Sequence, residues 1–130
     1  MDLVVTSGAI ATMLEEAARA APAECCGLLL GSGAITEVQP AANVAADPSR
    51  HFEIDPVGLI AAHRKARAGG PKVLGYYHSH PNGLEMPSAT DSAQASEDGR
   101  AFAIVANGRV RFFLFSRGHF EVLPTRVVDG

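Results

Sequence analysis

The sequence predicts an α+β domain, a β-sheet flanked by two main helices and a short third one. Three observations carry that prediction. Residues 7–21 and 56–68 repeat apolar side chains at helical spacing. Short apolar runs of strand length lie before, between and after them. Turn-forming pairs, among them Asn107-Gly108 and Arg117-Gly118, punctuate the runs. A chain of 130 residues supplies one hydrophobic core and not two, so residues 1–130 are expected to form a single domain.

Taken in order, residues 3–6 are short, β-branched and apolar, which suits an edge or first strand. In residues 7–21, Ile10, Met13, Leu14, Ala17, Ala18 and Ala21 fall on one stripe, with Ser7 as the expected N-cap and Pro22 closing the helix. Residues 25–31 are continuously apolar, as in a strand buried on both faces, and Glu24 stands at the mouth of that strand. A carboxylate there is either solvated at the strand end or held by a partner or a metal. Residues 31–33 turn the chain into a partner strand at 35–38, predicting a hairpin.

Residues 40–50 read as a loop of small and polar residues, and 51–54 as a brief strand. Asp55 then N-caps a second helix, with Pro56 at its first position and Gly69, Gly70 and Pro71 ending it near residue 68. Val57, Ile60, Ala61 and Arg64 mark its phases, and His63 among Arg64, Lys65 and Arg67 reads as part of a solvated basic face. The central strand, 73–80, follows. Residues 102–106 and 110–115 form a hairpin through Asn107-Gly108; 120–123 and 126–128 extend the sheet, and His119 is expected at the surface.

Chemistry concentrates in residues 75–95, GYYHSHPNGLEMPSATDSAQA. His78 and His80 are two apart in a strand and so share a face, together with Tyr76, while Gly75, Tyr77 and Ser79 share the other. Two such imidazoles can grip one ion. Asp91 adds a hard oxygen donor, and His, His and carboxylate with one open position make a catalytic zinc set. Pro87-Ser88 followed by Asp91 is also a helix-start pattern, in which Ser88 serves as a cap and Asp91 as a first-turn acid.

Composition sets limits on the rest. At 47% hydrophobic and 19% charged the chain reads as an ordinary soluble protein, and a net charge of −3 gives no basic footprint for nucleic acid. No apolar run reaches the roughly 20 residues that span a bilayer, and no leader-like segment opens the chain, so neither a membrane partner nor secretion is expected and the cytoplasm is. Cys25 and Cys26 are adjacent and exclude a disulfide framework. Both read as small, buried, reduced residues, with Cys26 on the Glu24 face and near any site there. A cysteine-nucleophile hydrolase would require a thiolate–His pair, for which the sequence has no local signature.

His-x-His-Pro at His78–Pro81, Ser88 and Asp91, with Glu24 and Gly27 upstream in ECCGLLLG, together resemble the JAMM (MPN+) metallopeptidase motif. The resemblance covers roughly residues 2–125 and is to the compact, stand-alone bacterial type. It implies a mixed, curved sheet of the JAMM/MPN, cytidine-deaminase-like architecture. It also implies one zinc ion per chain on His78, His80 and Asp91, with Glu24 as general base and Ser88 donating to the oxyanion. The activity implied is cleavage of a peptide or isopeptide bond after the C-terminal glycine of a ubiquitin-like sulfur-carrier protein, which would be the partner as substrate or adduct. Two alternatives stay open at this point: a non-catalytic MPN scaffold, and a small-molecule amide metallohydrolase on the same fold.

Overall fold

The computed structural model describes residues 2–130. In chain order the elements are β1 (Leu3–Thr6), α1 (Ser7–Ala20), β2 (Cys26–Gly31), β3 (Ile35–Ala41), α2 (Pro56–Arg67), β4 (Lys72–Ser79), α3 (Ala89–Gln94), β5 (Ala101–Ala106), β6 (Arg109–Ser116), β7 (His119–Val122) and β8 (Thr125–Val128). Eight strands form one sheet in the order β7-β6-β5-β4-β2-β3-β1-β8. The pairs β1–β3, β1–β8 and β4–β5 run parallel and the others antiparallel, so the sheet is mixed. The strands β7 and β8 lie at opposite edges although only Leu123 and Pro124 separate them, which requires the sheet to curl until its edges meet. Leu123 N–H donates to the Phe112 carbonyl at 2.9 Å and Leu3 N–H to that of Pro124 at 2.8 Å, fastening this corner.

Alternation along the strands divides the apolar residues between two faces. Under α1 lie Leu29, Ile35, Tyr77, Ala103 and Phe112, all buried, and the helix sets Ala9 and Met13 against them. Under α2 lie Leu28, Leu30 and Val73, with Ala62 as the buried residue of the helix. The Gly27 backbone takes the place where a Cβ would overlap the Tyr77 ring and the Gln39 carbonyl. Glycine there lets the buried ring pack directly on β2.

Several expectations change in detail. Thr6, not Ser7, caps α1: its Oγ1 accepts the Ala9 N–H at 3.2 Å, and Ser7 is already helical. The strand β1 lies inside the sheet, because β8 covers its outer side. β3 runs on to Ala41 and takes in Pro40, opposite Gly27. Proline is tolerated there because β3 meets its other neighbour only at Val5↔Ile35, leaving the Pro40 edge without a ladder to interrupt. Residues 51–54 contribute a single bridge, Asn43↔Ile54, rather than a strand. On α2, Val57 and Ile60 are 75% and 52% exposed, and Leu59 and Ala62 face the sheet instead. His63 is half-buried, its Nε2 3.5 Å from the Tyr76 hydroxyl, and so is not part of a solvated basic face. Both Asn107 and Gly108 have positive φ (54° and 71°), as do Arg117 and Gly118 (55° and 81°), which suits tight hairpin turns. No helix among the described residues is long and apolar enough to cross a membrane.

Candidate metal centre

The antiparallel register of β2 on β4 sets Cys26 against His78. Continued one pleat further, it sets Glu24 across from His80, and Ser79 N–H does donate to the Cys25 carbonyl at 3.0 Å between them. Glu24, His78 and His80 therefore stand on one face at the end of two adjacent strands, all buried. Cys26 shares that face beside His78 and Cys25 faces α1; both are buried, free thiols. Burial raises both, Cys26 to about 12, so neither supplies a thiolate near neutrality.

Asp91 arrives from the other side, on α3. Ser88 caps this helix: its Oγ accepts the Asp91 N–H at 3.0 Å, and Asp91 Oδ2 accepts the Ser88 N–H at 2.8 Å. This reciprocal box fixes the carboxylate. Its Oδ2 then lies 3.2 Å from Nε2 of both His78 and His80, whose Nε2 atoms are 3.1 Å apart. Glu24 lies further off, though its carboxylate and the two imidazoles still fall within 4.8 Å of one another, close enough to hold a metal ion between them. Asp91 is thus the nearer oxygen donor and Glu24 the more distant one.

Hydrogen-bond accounting requires protons or a cation between these atoms. His80 Nδ1 lies 2.8 Å from the Leu84 carbonyl, which can only accept, so Nδ1 carries the proton. A neutral His80 then turns the lone pair of Nε2 toward the Asp91 carboxylate and His78 Nε2. Three acceptors so close repel unless protons or a cation lie among them. Two imidazole nitrogens and a carboxylate oxygen are donors that zinc takes, so His78 Nε2, His80 Nε2 and Asp91 Oδ2 would hold it. Nδ1–H bonded to a carbonyl is also the usual support of a ligating imidazole. The donor set fits the group.

The two carboxyls are driven apart by their surroundings. Burial pushes Glu24 up to about 7, with nearby Asp91 adding to the rise and His80 opposing it. Burial would also raise Asp91, but in the metal-free protein, where protons on the two Nε2 atoms replace the cation, the hydrogen bonds from His78 and His80, with the Ser88 N–H, hold it well below the usual carboxylate range. Burial likewise pulls His78 down, while for His80 the bonds to Asp91 and the Leu84 carbonyl outweigh burial and raise it. A carboxyl near 7 beside one that stays ionised is the pattern of a proton carrier next to a ligand.

Two contributors, Asn43 and Phe52, lie in stretches that read from sequence as a loop and a brief strand. Asn43 binds its own loop and β2 together: Nδ2 donates to the carbonyls of Glu24 (2.9 Å) and His51 (3.0 Å), and Oδ1 accepts from the N–H groups of Ala45 and Glu53 (3.1 Å each). Glu24 N–H in turn donates to the Pro48 carbonyl at 2.7 Å. The loop thereby fixes the backbone of Glu24 on both sides. Phe52, further along it, stacks on His78 with centroids 4.1 Å apart and planes 16° from parallel. An Asn in a Pro- and Ala-rich stretch reads as turn chemistry, and a lone Phe as core, so neither gives a local signal. Beside His78 and Asp91 lies a small apolar pocket of about 40 Å³, lined by Phe52, Pro87, Phe102, Ile104 and Phe120, and Phe52 and Phe102 also line a wider cleft of about 330 Å³ with Leu59 and Tyr76.

Comparison with known proteins follows the same outline. Residues 6–116 match the family described as prokaryotic homologs of the JAB domain. Over 117 residues the chain is 35% identical to the desampylase of Haloferax volcanii, covering 87% of this chain and 84% of that one. It is 34% identical over 100 residues to a probable TtuB-protein conjugate cleaving protease of Thermus thermophilus, covering 77% and 67% respectively. A solution structure of a Desulfitobacterium hafniense protein superposes with a TM-score of 0.83 at 28% identity, covering 98% of this chain and 94% of the other. By its family match, its relatives and its curled mixed sheet, this chain belongs to the prokaryotic homologs of the JAB domain, within the JAMM/MPN group.

Proposed function

We propose that residues 1–130 form a single zinc-dependent peptidase domain that cleaves a peptide or isopeptide bond after the C-terminal glycine of a ubiquitin-like, sulfur-carrier-type protein. The observation that carries this reading is the convergence of His78 Nε2, His80 Nε2 and Asp91 Oδ2 within 3.2 Å of one another, with the raised Glu24 carboxyl beside them. The names of the two relatives, a desampylase and a conjugate-cleaving protease, support the substrate class. The reduced state of Cys25 and Cys26 suits the cytoplasm.

In this reading His78, His80 and Asp91 hold one zinc ion per chain. When bound, zinc supplies Lewis acidity and brings the pKa of a water toward about 7. Glu24, buried beside the ligands, would be the group that accepts a proton from the attacking water and returns it to the leaving amine. Among the described residues Ser88 Oγ accepts from the Asp91 N–H and its own hydrogen has no protein acceptor, so the hydroxyl keeps a donor for the oxyanion of the substrate. The capping and catalytic roles of Ser88 are compatible because they use different parts of the same hydroxyl. The pocket beside His78 and the wider cleft that adjoins it at Phe52 and Phe102 offer room for an extended tail, and a diglycine end has no side chain to obstruct approach to the ligands.

Metal analysis of the purified protein together with cleavage of a carrier adduct tests this. One zinc per chain and release of the group attached after the diglycine are expected. Replacing the carrier's terminal Gly by Val is expected to lower kcat/KM by about tenfold, or about 1.4 kcal/mol. Equal cleavage of the Val form, or hydrolysis of small amides alone, would remove the carrier assignment and leave the metal chemistry standing.

A further inference from the structure

We propose that Asn107 is a positioning residue for the metal centre, holding in place the backbone carbonyl that sets the tautomer of His80. The inference rests on the metal-centre reading above and goes beyond it to a residue on another hairpin. The Leu84 carbonyl fixes the proton of His80 on Nδ1 at 2.8 Å and so leaves Nε2 as the ligating nitrogen. What fixes that carbonyl is the question. It belongs to the 81–87 connection, whose apolar side chains Leu84 and Met86 are 41% and 46% exposed and give it little anchorage in the core. Its local bonds, Gly83 N–H to the His80 carbonyl (3.0 Å) and Leu84 N–H to Asn82 Oδ1 (3.0 Å), tie the connection only to itself and to the end of β4.

The tie to the rest of the sheet comes from Asn107. Its Nδ2 donates to the Gly83 carbonyl at 2.9 Å and to Glu85 Oε2 at 3.1 Å, the residues on either side of Leu84. One amide thus brackets the carbonyl that His80 requires. The other nearby link, Arg109 to Glu85, is long at 4.0 Å and exposed on the arginine side, so it contributes little. Gly83 fits the arrangement. Its φ is +84°, and a Cβ there would come within 3.0 Å of Asn107 Oδ1. Asn107 also has a positive φ, 54°, in the β5–β6 turn. Turn formation alone would require only Asn, Asp or Gly at this position. A donor aimed across at a second loop is an added requirement that Asn meets and the other two do not.

Asn107→Gly and Asn107→Asp separate the two roles, since both residues accept the turn conformation and neither offers the amide donor; Asp also sets a carboxylate against Glu85. Two readouts do not depend on turnover. Nitrogen-15 NMR of the imidazoles in chelator-treated protein, taken at alkaline pH where His80 is neutral, is expected to show His80 protonated on Nδ1 in the wild type and a mixture of tautomers in both variants. Zinc affinity, measured by competition with a chelator, is expected to fall about 10- to 100-fold, as for other residues that support a ligand, and more for Asp than for Gly. Glu85→Gln, which leaves the bond to Gly83 in place, is expected to stay near wild type. Wild-type zinc affinity with an unchanged His80 tautomer in both Asn107 variants would overturn the proposal, as would an affinity loss explained by the fraction unfolded in a melting curve. The tautomer readout needs neither zinc nor a carrier substrate, so failure of the functional reading would appear separately, as wild-type protein that binds no zinc or cleaves no adduct.

Discussion

The two faces of β4 carry the same alternating strand and meet opposite fates. On one, Tyr77 is fully buried beneath α1, and Ser79 Oγ accepts the Cys25 N–H at 2.8 Å. On the other, Tyr76, His78 and the following His80 lie beneath α2 and the 42–55 loop, where the cover is incomplete and a pocket lined by Phe52, Phe102 and Phe120 adjoins His78. The comparison teaches that α1 covers Tyr77 completely while α2, with one buried residue, leaves a cleft open beside Tyr76 and Phe52. On the open face the polar groups satisfy one another or an ion instead of being excluded.

The sharpest way to break that contrast is to mutate neighbours on opposite faces. His78→Ala or Asp91→Ala is expected to remove bound zinc and reduce turnover to background, because two ligands remain and the further donor, the Glu24 carboxylate, stands more distant. Tyr77→Ala, one residue away, is expected to cost about 3–5 kcal/mol of stability, as for other buried aromatics, while zinc still binds the folded fraction. Denaturant melts and metal analysis of both variants check this. Full zinc occupancy in His80→Ala would also contradict the ligand assignment.

Within the open face the contrast is between Glu24 and Asp91. Glu24→Gln is expected to keep the metal and reduce turnover by about 10²- to 10⁴-fold, since the amide keeps the size and loses the base. It has a second signature in chelator-treated protein. The folded Glu24 titrates near 7 against an ordinary value of 4.5, so from 4.5 upward the unfolded chain loses its proton first and wild-type stability falls until about pH 7. Glu24→Gln escapes that fall. Its stability relative to wild type should rise by up to about 3 kcal/mol between pH 4.5 and pH 8 and be flat below. A constant difference across that range would return Glu24 to a solvated strand-end acid.

Much of this was legible in the sequence where the signal is periodic or local. The His-x-His alternation, the Ser88–Asp91 cap and the Asn107-Gly108 hairpin each depend on residues within a few positions of one another, and each formed as expected. Val57 and Ile60 misled because the apolar positions on α2 allow two stripes, and only the sheet selects Leu59 and Ala62. The strand expected at 51–54 failed because the Asn43 side chain takes up the backbone groups of His51 and Glu53 that a ladder would have used. The closure of β8 on β1, and the approach of Asn43 to Glu24, join residues far apart in sequence and carry no local pattern.

Ser88 tests whether a residue shared by fold and site can be separated. Ser88→Ala removes both the cap and the hydroxyl donor; about 1 kcal/mol of stability and roughly 10²- to 10³-fold in kcat are expected to go, with KM little changed. Ser88→Thr, which caps and donates, is expected to restore both. A stability loss with unchanged kcat would leave Ser88 as a cap alone.

The smallest effect should come from Phe52, which belongs to neither the ligand set nor the sealed core. Its ring lies flat on His78 at 4.1 Å and forms one wall of the pocket, while its loop is held by Asn43 and by the Glu24 backbone. An aromatic stack of this kind contributes about 0.5–1.5 kcal/mol beyond the area it buries. Phe52→Leu keeps an apolar side chain in the loop and loses the stack, so imidazole orientation should loosen while the fold persists. A decrease of about 2- to 12-fold in zinc affinity is expected from that range, since a factor of ten corresponds to about 1.4 kcal/mol. Glu24→Gln should show no comparable decrease, because Glu24 is not assigned as a ligand. If Phe52→Leu instead raised KM for the carrier adduct and left zinc affinity untouched, the ring would be a pocket wall and not a support for His78, and the open face would owe its ligand geometry to Asp91 and the Leu84 carbonyl.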